Sequence, residues 1–201
     1  MTESADPTGG LRRRVRLMSS VPPPVAEALP RRLRVGLLGG SFNPAHEGHL
    51  AISLEALKRL QLDQVWWLVS PQNPLKSTND MAPLAERLAS ARNLAQHPRI
   101  KVKDLESRLG TRFTVDLLRR LAGWQEMRFV FLMGTDNLQQ LPRWRHWRQI
   151  LDFAGIAVVE RPASCYSALH GAAASRLAPV RIAQEHAAEL AYAARPAWTL
   201  L

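Results

Sequence analysis

The stretch Gly39-Gly40-Ser41-Phe42-Asn43-Pro44-Ala45-His46-Glu47-Gly48-His49 decides how the chain is read. An apolar run over residues 35–38 precedes it and reads as a buried strand. Residues 50–62 follow, with Leu50, Leu54 and Leu57 at helical spacing against Lys58 and Arg59. The order is therefore strand, small-residue loop, helix start. Loop amides and a helix N-terminus placed in this way face an anion, because unpaired N–H groups and the helix dipole both favour negative charge. Two imidazoles stand at the same place and can donate to phosphate oxygens, more strongly if protonated.

Working outward, 201 residues suffice for one sizeable core. An apolar share of 46% with 22% charged residues fits a water-soluble globular chain. No run reaches the roughly 20 apolar residues of a membrane span, so no membrane partner is expected. The net charge of +10 is concentrated early, in Arg12, Arg13, Arg14, Arg16, Arg31, Arg32 and Arg34, all ahead of the expected first strand. Such a cluster could hold nucleic acid or a membrane surface, or add a positive field around a nucleotide cleft. Nothing aromatic is interleaved for base stacking, so residues 1–33 are expected to be a disordered, solvated leader and no nucleic-acid partner is expected. The leader lacks the apolar segment of a secretory signal. Cys165 is the single cysteine, which excludes an intrachain disulfide and a cysteine zinc site and suits a reducing cytoplasm.

Strand-like and helix-like runs then alternate, the pattern of a parallel sheet with crossover helices. Strands are expected at 35–38, 65–69, 100–103, 129–133, 156–159 and 198–201, with a short one at 180–183. Helices are expected at 50–62, 84–96, from a Thr114 cap to 121, over 137–151 with an interruption near Pro142, and at 184–194. Residues 72–80 read as a loop, and 163–177 carry no clear pattern. The fold class is a doubly wound, Rossmann-like α/β parallel sheet with helices on both faces. Gly134-Thr135-Asp136 ends the fourth strand at the carboxyl edge, where open α/β sheets bind ligands.

Commoner motifs do not account for the loop. Its glycines do not fall as G-x-G-x-x-G, and it is not G-x-x-x-x-G-K-[ST]. His46 and His49 are spaced i, i+3 rather than the i, i+4 of H-E-x-x-H, and with no third ligand no protein-held metal is expected.

The run Gly-Gly-Ser-Phe-Asn-Pro-x-His-x-Gly-His resembles the signature of the HxGH nucleotidyltransferases, and its fuller form is similar to that of bacterial nicotinate-nucleotide adenylyltransferases. Four further segments agree in order. They are Pro71-Gln72-Asn73-Pro74-Leu75-Lys76, Thr111-Arg112-Phe113-Thr114-Val115-Asp116-Leu117-Leu118, the block from Phe131 through Gly134, Asp136 and Leu138 to Trp144 and Trp147, and Val158-Val159-Glu160-Arg161-Pro162. The likeness spans about residues 34–162.

The resemblance implies attack of a mononucleotide phosphate oxygen on the α-phosphorus of ATP, with Mg²⁺-bound pyrophosphate leaving. The nucleophile is already an anion, so positioning and charge stabilisation carry the catalysis. By the same resemblance, His46 and His49 hold the ATP phosphates, His49 nearer the α-phosphate. Gly39, Gly40, Ser41, Phe42 and Gly48 line phosphate and ribose, as do Gly134 and Asp136, the last at the adenosine ribose. On the acceptor side Trp144 stacks on the pyridine ring, Thr114 receives its carboxylate and Lys76 its phosphate, while Arg161 reaches a phosphate or an acidic neighbour. Trp147 is expected in the core. The substrates implied are ATP and nicotinate mononucleotide. Two other readings stay open, a sister adenylyl- or cytidylyltransferase with another acceptor and a non-catalytic mononucleotide-binding protein. The family's Ser-Thr-x-x-Arg segment would begin just beyond Leu201. Losing one charge-assisted phosphate contact costs about 1.5–3 kcal/mol, so weakened turnover is expected of residues 1–201.

Overall fold

The computed structural model describes residues 32–71, 81–160 and 165–201. Six strands, β1 (Leu33–Gly40), β2 (Gln64–Val69), β3 (Ile100–Lys103), β4 (Met127–Gly134), β5 (Gly155–Val159) and β6 (Trp198–Leu200), form one sheet in the order β3-β2-β1-β4-β5-β6. Every pairing is parallel. Parallel strands need crossovers, and these carry α1 (Glu47–Arg59), α2 (Leu84–Leu94), α3 (Leu105–Leu109), α4 (Thr114–Leu121), α5 (Thr135–Gln140), α6 (Trp147–Phe153), α7 (Cys165–Leu169) and α8 (Ala172–Leu177).

Alternation along each strand sorts its side chains onto two cores. Val35, Leu37, Phe129 and Phe131 pack on one face against Val115, Leu118 and Leu121 of α4 and Ile150 of α6. Leu38, Val130 and Leu132 pack on the other against Ile52, Ala56 and Leu57 of α1 and Ala91 of α2. Burial on both faces is why β5, Gly-Ile-Ala-Val-Val, reads as a continuous apolar run. The doubly wound class follows.

The chain winds outward from β1 through β2 to β3, then returns to add β4 on the other flank of β1. Such a reversal leaves a crevice between the carboxyl ends of the two strands that flank it. Here those ends are Gly40 and Gly134.

Several expected boundaries shift. The first strand begins at Leu33, so Leu33 leaves the expected leader and Arg34, expected ahead of the strand, lies within it. Its guanidinium makes a two-pronged pair with Asp63 at 3.1 and 3.0 Å. The first helix starts three residues early, inside the motif, at Glu47. Thr114 is the first residue of α4 rather than its cap, since Phe113 holds the cap position and no side-chain cap bond forms. The segment near Pro142 is a 3-10 turn, Leu141–Arg143, between α5 and α6. The expected strand at 180–183 reduces to a single bridge from Arg181 to Trp198, and the helix expected at 184–194 is a 3-10 helix, Gln184–Ala191. Residues 163–177, unpatterned in sequence, hold α7 and α8. The loop expected at 72–80 lies outside the described residues, as do residues 1–31.

Candidate active site

The crevice between β1 and β4 opens into a cleft of about 420 Å³. The β1–α1 loop forms one wall, the start of α4 a second, and the segment from Gly134 to Arg145 a third.

The imidazoles are fixed by the backbone of their own helix. His46 is the N-cap of α1, and its Nδ1 accepts the Gly48 N–H at 3.2 Å. His49, in the first turn, accepts the His46 N–H on its own Nδ1, also at 3.2 Å. A ring nitrogen that accepts a hydrogen bond carries no proton, so both rings are the neutral tautomer with the proton on Nε2. The two rings lie 3.9 Å apart between centroids and both line the cleft. In this arrangement a neutral ring can donate only through Nε2.

Beneath them the support is aromatic. Phe42 has a left-handed backbone, φ +48°, a conformation costing roughly 1–3 kcal/mol that persists only where the surroundings enforce it. That twist turns its ring, 1% exposed, into the core between His49 at 4.5 Å and Trp67 at 5.2 Å. Phe42 therefore borders the cleft while its side chain packs inward. The Trp67 indole N–H donates to Ser53 Oγ at 2.7 Å, and Ser53 Oγ–H donates to the His49 carbonyl at 2.8 Å. Sheet and helix are pinned together where His49 stands.

Gly39, Gly40 and Ser41 line the cleft, as do Gly134 and Asp136. A Cβ at Gly39 would meet only Phe131, at an ordinary 3.6 Å, so its missing side chain serves the open space above the strand end. Gly48 differs from expectation. It does not line the cleft, and a Cβ there would sit 2.9 Å from His46 Nδ1. Its role in the geometry is to make room for the His46 ring.

Thr114 and Trp144 border the same cleft, and the Trp144 ring meets Phe131 edge-on at 6.1 Å. Trp147 is half-buried against the core and lies outside the cleft lining. Lys76 and Arg161 lie outside the described residues.

Other residues at the site had no role in the reading of the sequence. Arg87 of α2 is 3% exposed and donates to four backbone carbonyls, Ser41 and Ser70 at 2.7 Å, Ala82 at 2.8 Å and Pro71 at 3.0 Å. Burial draws its pKa below the ordinary arginine value. Arg87 ties the β1–α1 loop to the end of β2, and Asn43 adds to this by accepting the Ala82 N–H at 3.1 Å. Glu106, on the cleft wall, accepts the Ser70 hydroxyl at 2.7 Å. Burial pushes its carboxyl above the usual glutamate range, partly offset by that hydrogen bond. Arg112, Arg143 and Arg145 also line the cleft. The signal for the last two was present in sequence as the Arg-Trp-Arg triplet around Trp144; Arg87 and Glu106 gave none.

Among the described residues no three His, Cys, Asp or Glu side chains gather as a protein-held metal would require. Glu106 and Asp136 are the carboxyl groups on the cleft wall. No described helix is long and apolar enough to cross a membrane.

A parallel sheet with a cleft of about 420 Å³ at its reversal point, a glycine turn and paired imidazoles is the architecture of a nucleotide-binding α/β fold. Comparison with known proteins narrows the class. The cytidylyltransferase-like family matches residues 37–192. A probable nicotinate-nucleotide adenylyltransferase of Bradyrhizobium sp. (strain ORS 278) is 54% identical over 172 residues, 84% of this chain and 88% of the relative. One from Parvibaculum lavamentivorans is 52% identical over 176 residues, covering 87% and 88%. The nicotinic acid mononucleotide adenylyltransferase of Plasmodium falciparum, solved with NaAD, shares the fold at TM-score 0.60 and 20% identity, over 69% of this chain and 71% of that one. The chain belongs to the cytidylyltransferase-like family and, within it, to the nicotinate-nucleotide adenylyltransferases.

Proposed function

We propose that this chain transfers the adenylyl group of ATP to nicotinate mononucleotide, forming nicotinate adenine dinucleotide and pyrophosphate, a step of NAD biosynthesis. The observation that carries the reading is the convergence of His46, His49, Thr114 and Trp144 on one cleft. In the reaction an acceptor phosphate oxygen forms a bond to the α-phosphorus as the bond from that phosphorus to the bridging oxygen breaks, and the electron pair leaves on pyrophosphate. No proton has to be removed from the nucleophile.

What the protein supplies is alignment and donors. The Nε2–H groups of His46 and His49 point their proton at phosphoryl oxygens on which negative charge builds, His49 serving the α-phosphate. Fixed donors of this kind need no reorganisation at the moment of reaction. Gly39, Gly40 and Ser41 give the triphosphate room beside the strand end, Asp136 takes the adenosine ribose, and Gly134 lets the nucleotide approach. The acceptor's pyridine lies on Trp144 with its carboxylate at Thr114. By the sequence resemblance Lys76 takes the acceptor phosphate, and Arg161 reaches a phosphate or pairs with an acidic neighbour.

Mg²⁺ is assigned as the cation. With two separate carboxyls on the wall, Glu106 and Asp136, the site fits an ion that would arrive on the triphosphate and would neutralise charge on the departing pyrophosphate. The cytoplasm is assigned as the compartment, in keeping with a chain that has a single cysteine.

Pyrophosphate release with ATP and a panel of phosphate acceptors tests the reading. Nicotinate mononucleotide is expected to be the preferred acceptor, with His49→Ala slowing turnover at least about a hundredfold, as loss of a transition-state donor does. Preference for an acceptor without a pyridine ring, or unchanged turnover in His49→Ala, would refute it.

A further inference from the structure

The cleft is lined by arginines and imidazoles, as suits a site for anions, yet two carboxyls interrupt that lining among the described residues, Glu106 and Asp136. A carboxylate repels a phosphate and accepts from hydroxyls.

The two stand on opposite flanks of the imidazole loop. Asp136 follows β4, on one side of β1. Glu106, in α3, is tied to the end of β2 on the other side, where its Oε2 accepts the Ser70 hydroxyl at 2.7 Å. Ser70 is itself held, its N–H donating to the Gly40 carbonyl at 2.9 Å and its carbonyl accepting from Arg87 at 2.7 Å. The Glu106 carbonyl accepts the N–H of Thr111, which leads through Arg112 and Phe113 into α4, at 2.9 Å. Glu106 is therefore fixed beside the wall on which Thr114 stands. No other described residue makes a hydrogen bond or ion pair with its carboxyl. A carboxylate has room for several donors, and here a single hydroxyl is supplied. Burial, only partly offset by that bond, holds the carboxyl above the usual glutamate range, as expected of a group with too few donors around it.

We infer that Glu106 receives the ribose hydroxyls of the acceptor, so that each nucleotide's sugar meets one carboxylate on its own flank of β1. This rests on the acceptor being a nicotinate mononucleotide, as proposed above. Of that molecule's parts, the phosphate and the pyridine carboxylate are anions, which Glu106 repels, and the ribose hydroxyls alone are donors. A held carboxylate that waits for a hydroxyl rejects the analogue lacking it, since the buried oxygen is then left unpaired. Glu106 thereby makes the cleft prefer a ribo- to a deoxyribo-mononucleotide.

The test is kcat/KM of the full chain and of its Glu106→Gln form at saturating ATP. The acceptors are nicotinate mononucleotide and its 2′-deoxy and 3′-deoxy forms. The parent is expected to lose about tenfold on at least one deoxy acceptor, and Glu106→Gln, which keeps the shape and the Ser70 bond but not the charge, about tenfold on the ribonucleotide. Paired on that deoxy acceptor, the two losses are expected to fall well short of their product, as they do when both changes remove one contact. A purely structural role for Glu106 would leave the losses multiplicative. Discrimination between ATP and 2′-deoxy-ATP is expected to stay within about twofold in the variant. A parent that uses both deoxy acceptors as well as the ribonucleotide, losses that multiply for both, or a variant that changes only the discrimination against 2′-deoxy-ATP would overturn this inference alone. A parent inactive on nicotinate mononucleotide would overturn the proposed function, and this inference with it.

Discussion

At Gly48 the missing side chain is a matter of 2.9 Å, the distance at which a methyl group would meet His46 Nδ1. Gly48→Ala must push that ring away or break the hydrogen bond that orients it. Displacing a catalytic group by about 1 Å can cost on the order of a hundredfold in rate, so turnover is expected to fall by that order while the melting temperature barely moves at this exposed position. Paired kinetics and thermal melts would check both. Trp144→Ala is expected to act on binding instead. Losing a ring–base stack worth roughly 1–3 kcal/mol would raise the acceptor's KM about tenfold or more, with Trp144→Phe much milder. Glu106 concerns proton balance. Its folded pKa is raised above the ordinary 4.5, so its contribution to stability is present below that value and lost as pH rises through the folded pKa. Glu106→Gln cannot ionise and still accepts from Ser70. It is expected to lose less stability than the parent between pH 4 and 8, as melting curves across that range would show. Equal slopes would rule out a raised pKa.

Among elements, α2 shows best why some of the site was legible and some was not. Its apolar positions Leu88 and Ala91 announce a helix with one buried face, and the structure has that helix. Helical spacing sets Arg87, four residues before Ala91, on that same face, but a guanidinium would ordinarily be expected in solvent. It is buried because the chain ends it serves, at Ser41, Ser70, Pro71 and Ala82, come together only after the sheet has formed. No local spacing encodes them. Arg87→Met keeps the bulk and strips the donors from four carbonyls; it is expected to destabilise by about 3 kcal/mol or more, read by denaturant titration, and to weaken ATP binding through the Ser41 loop. A loss below about 1 kcal/mol would mean that water replaces the guanidinium freely. The short elements failed for a different reason. α3 has five residues, too few for a period to show, and over the eight residues 184–191 repeats of 3.0 and 3.6 are nearly indistinguishable. The glycine-rich turn was legible because its chemistry is local. The hydrogen bonds that cap the helix and turn its two imidazoles run between residues at most three apart.

For the molecule as a whole, the parallel sheet could be read from alternation alone, because both faces of every central strand are buried and each crossover is long enough for a helix. What alternation does not carry is which strand neighbours which, and the cleft depends on that. The return from β3 to β4 across β1 brings Gly134 and Asp136 to the loop of His46, nearly ninety positions earlier in the chain. At the centre, Gly36 of β1 sets how closely the crossover packs. A Cβ there would lie 2.7 Å from Leu62 and 2.9 Å from Leu132, both 1% exposed. Gly36→Ala is expected to cost about 1–3 kcal/mol by overpacking, seen as a lower melting temperature with kinetic constants little changed. The pin from Trp67 through Ser53 to His49 has a consequence of another kind. An indole whose ring lies 5.9 Å from an imidazole emits light whose yield answers to that neighbour's surroundings. A chain keeping Trp67 as its sole fluorophore would report nucleotide arrival by its own glow, with no dye attached.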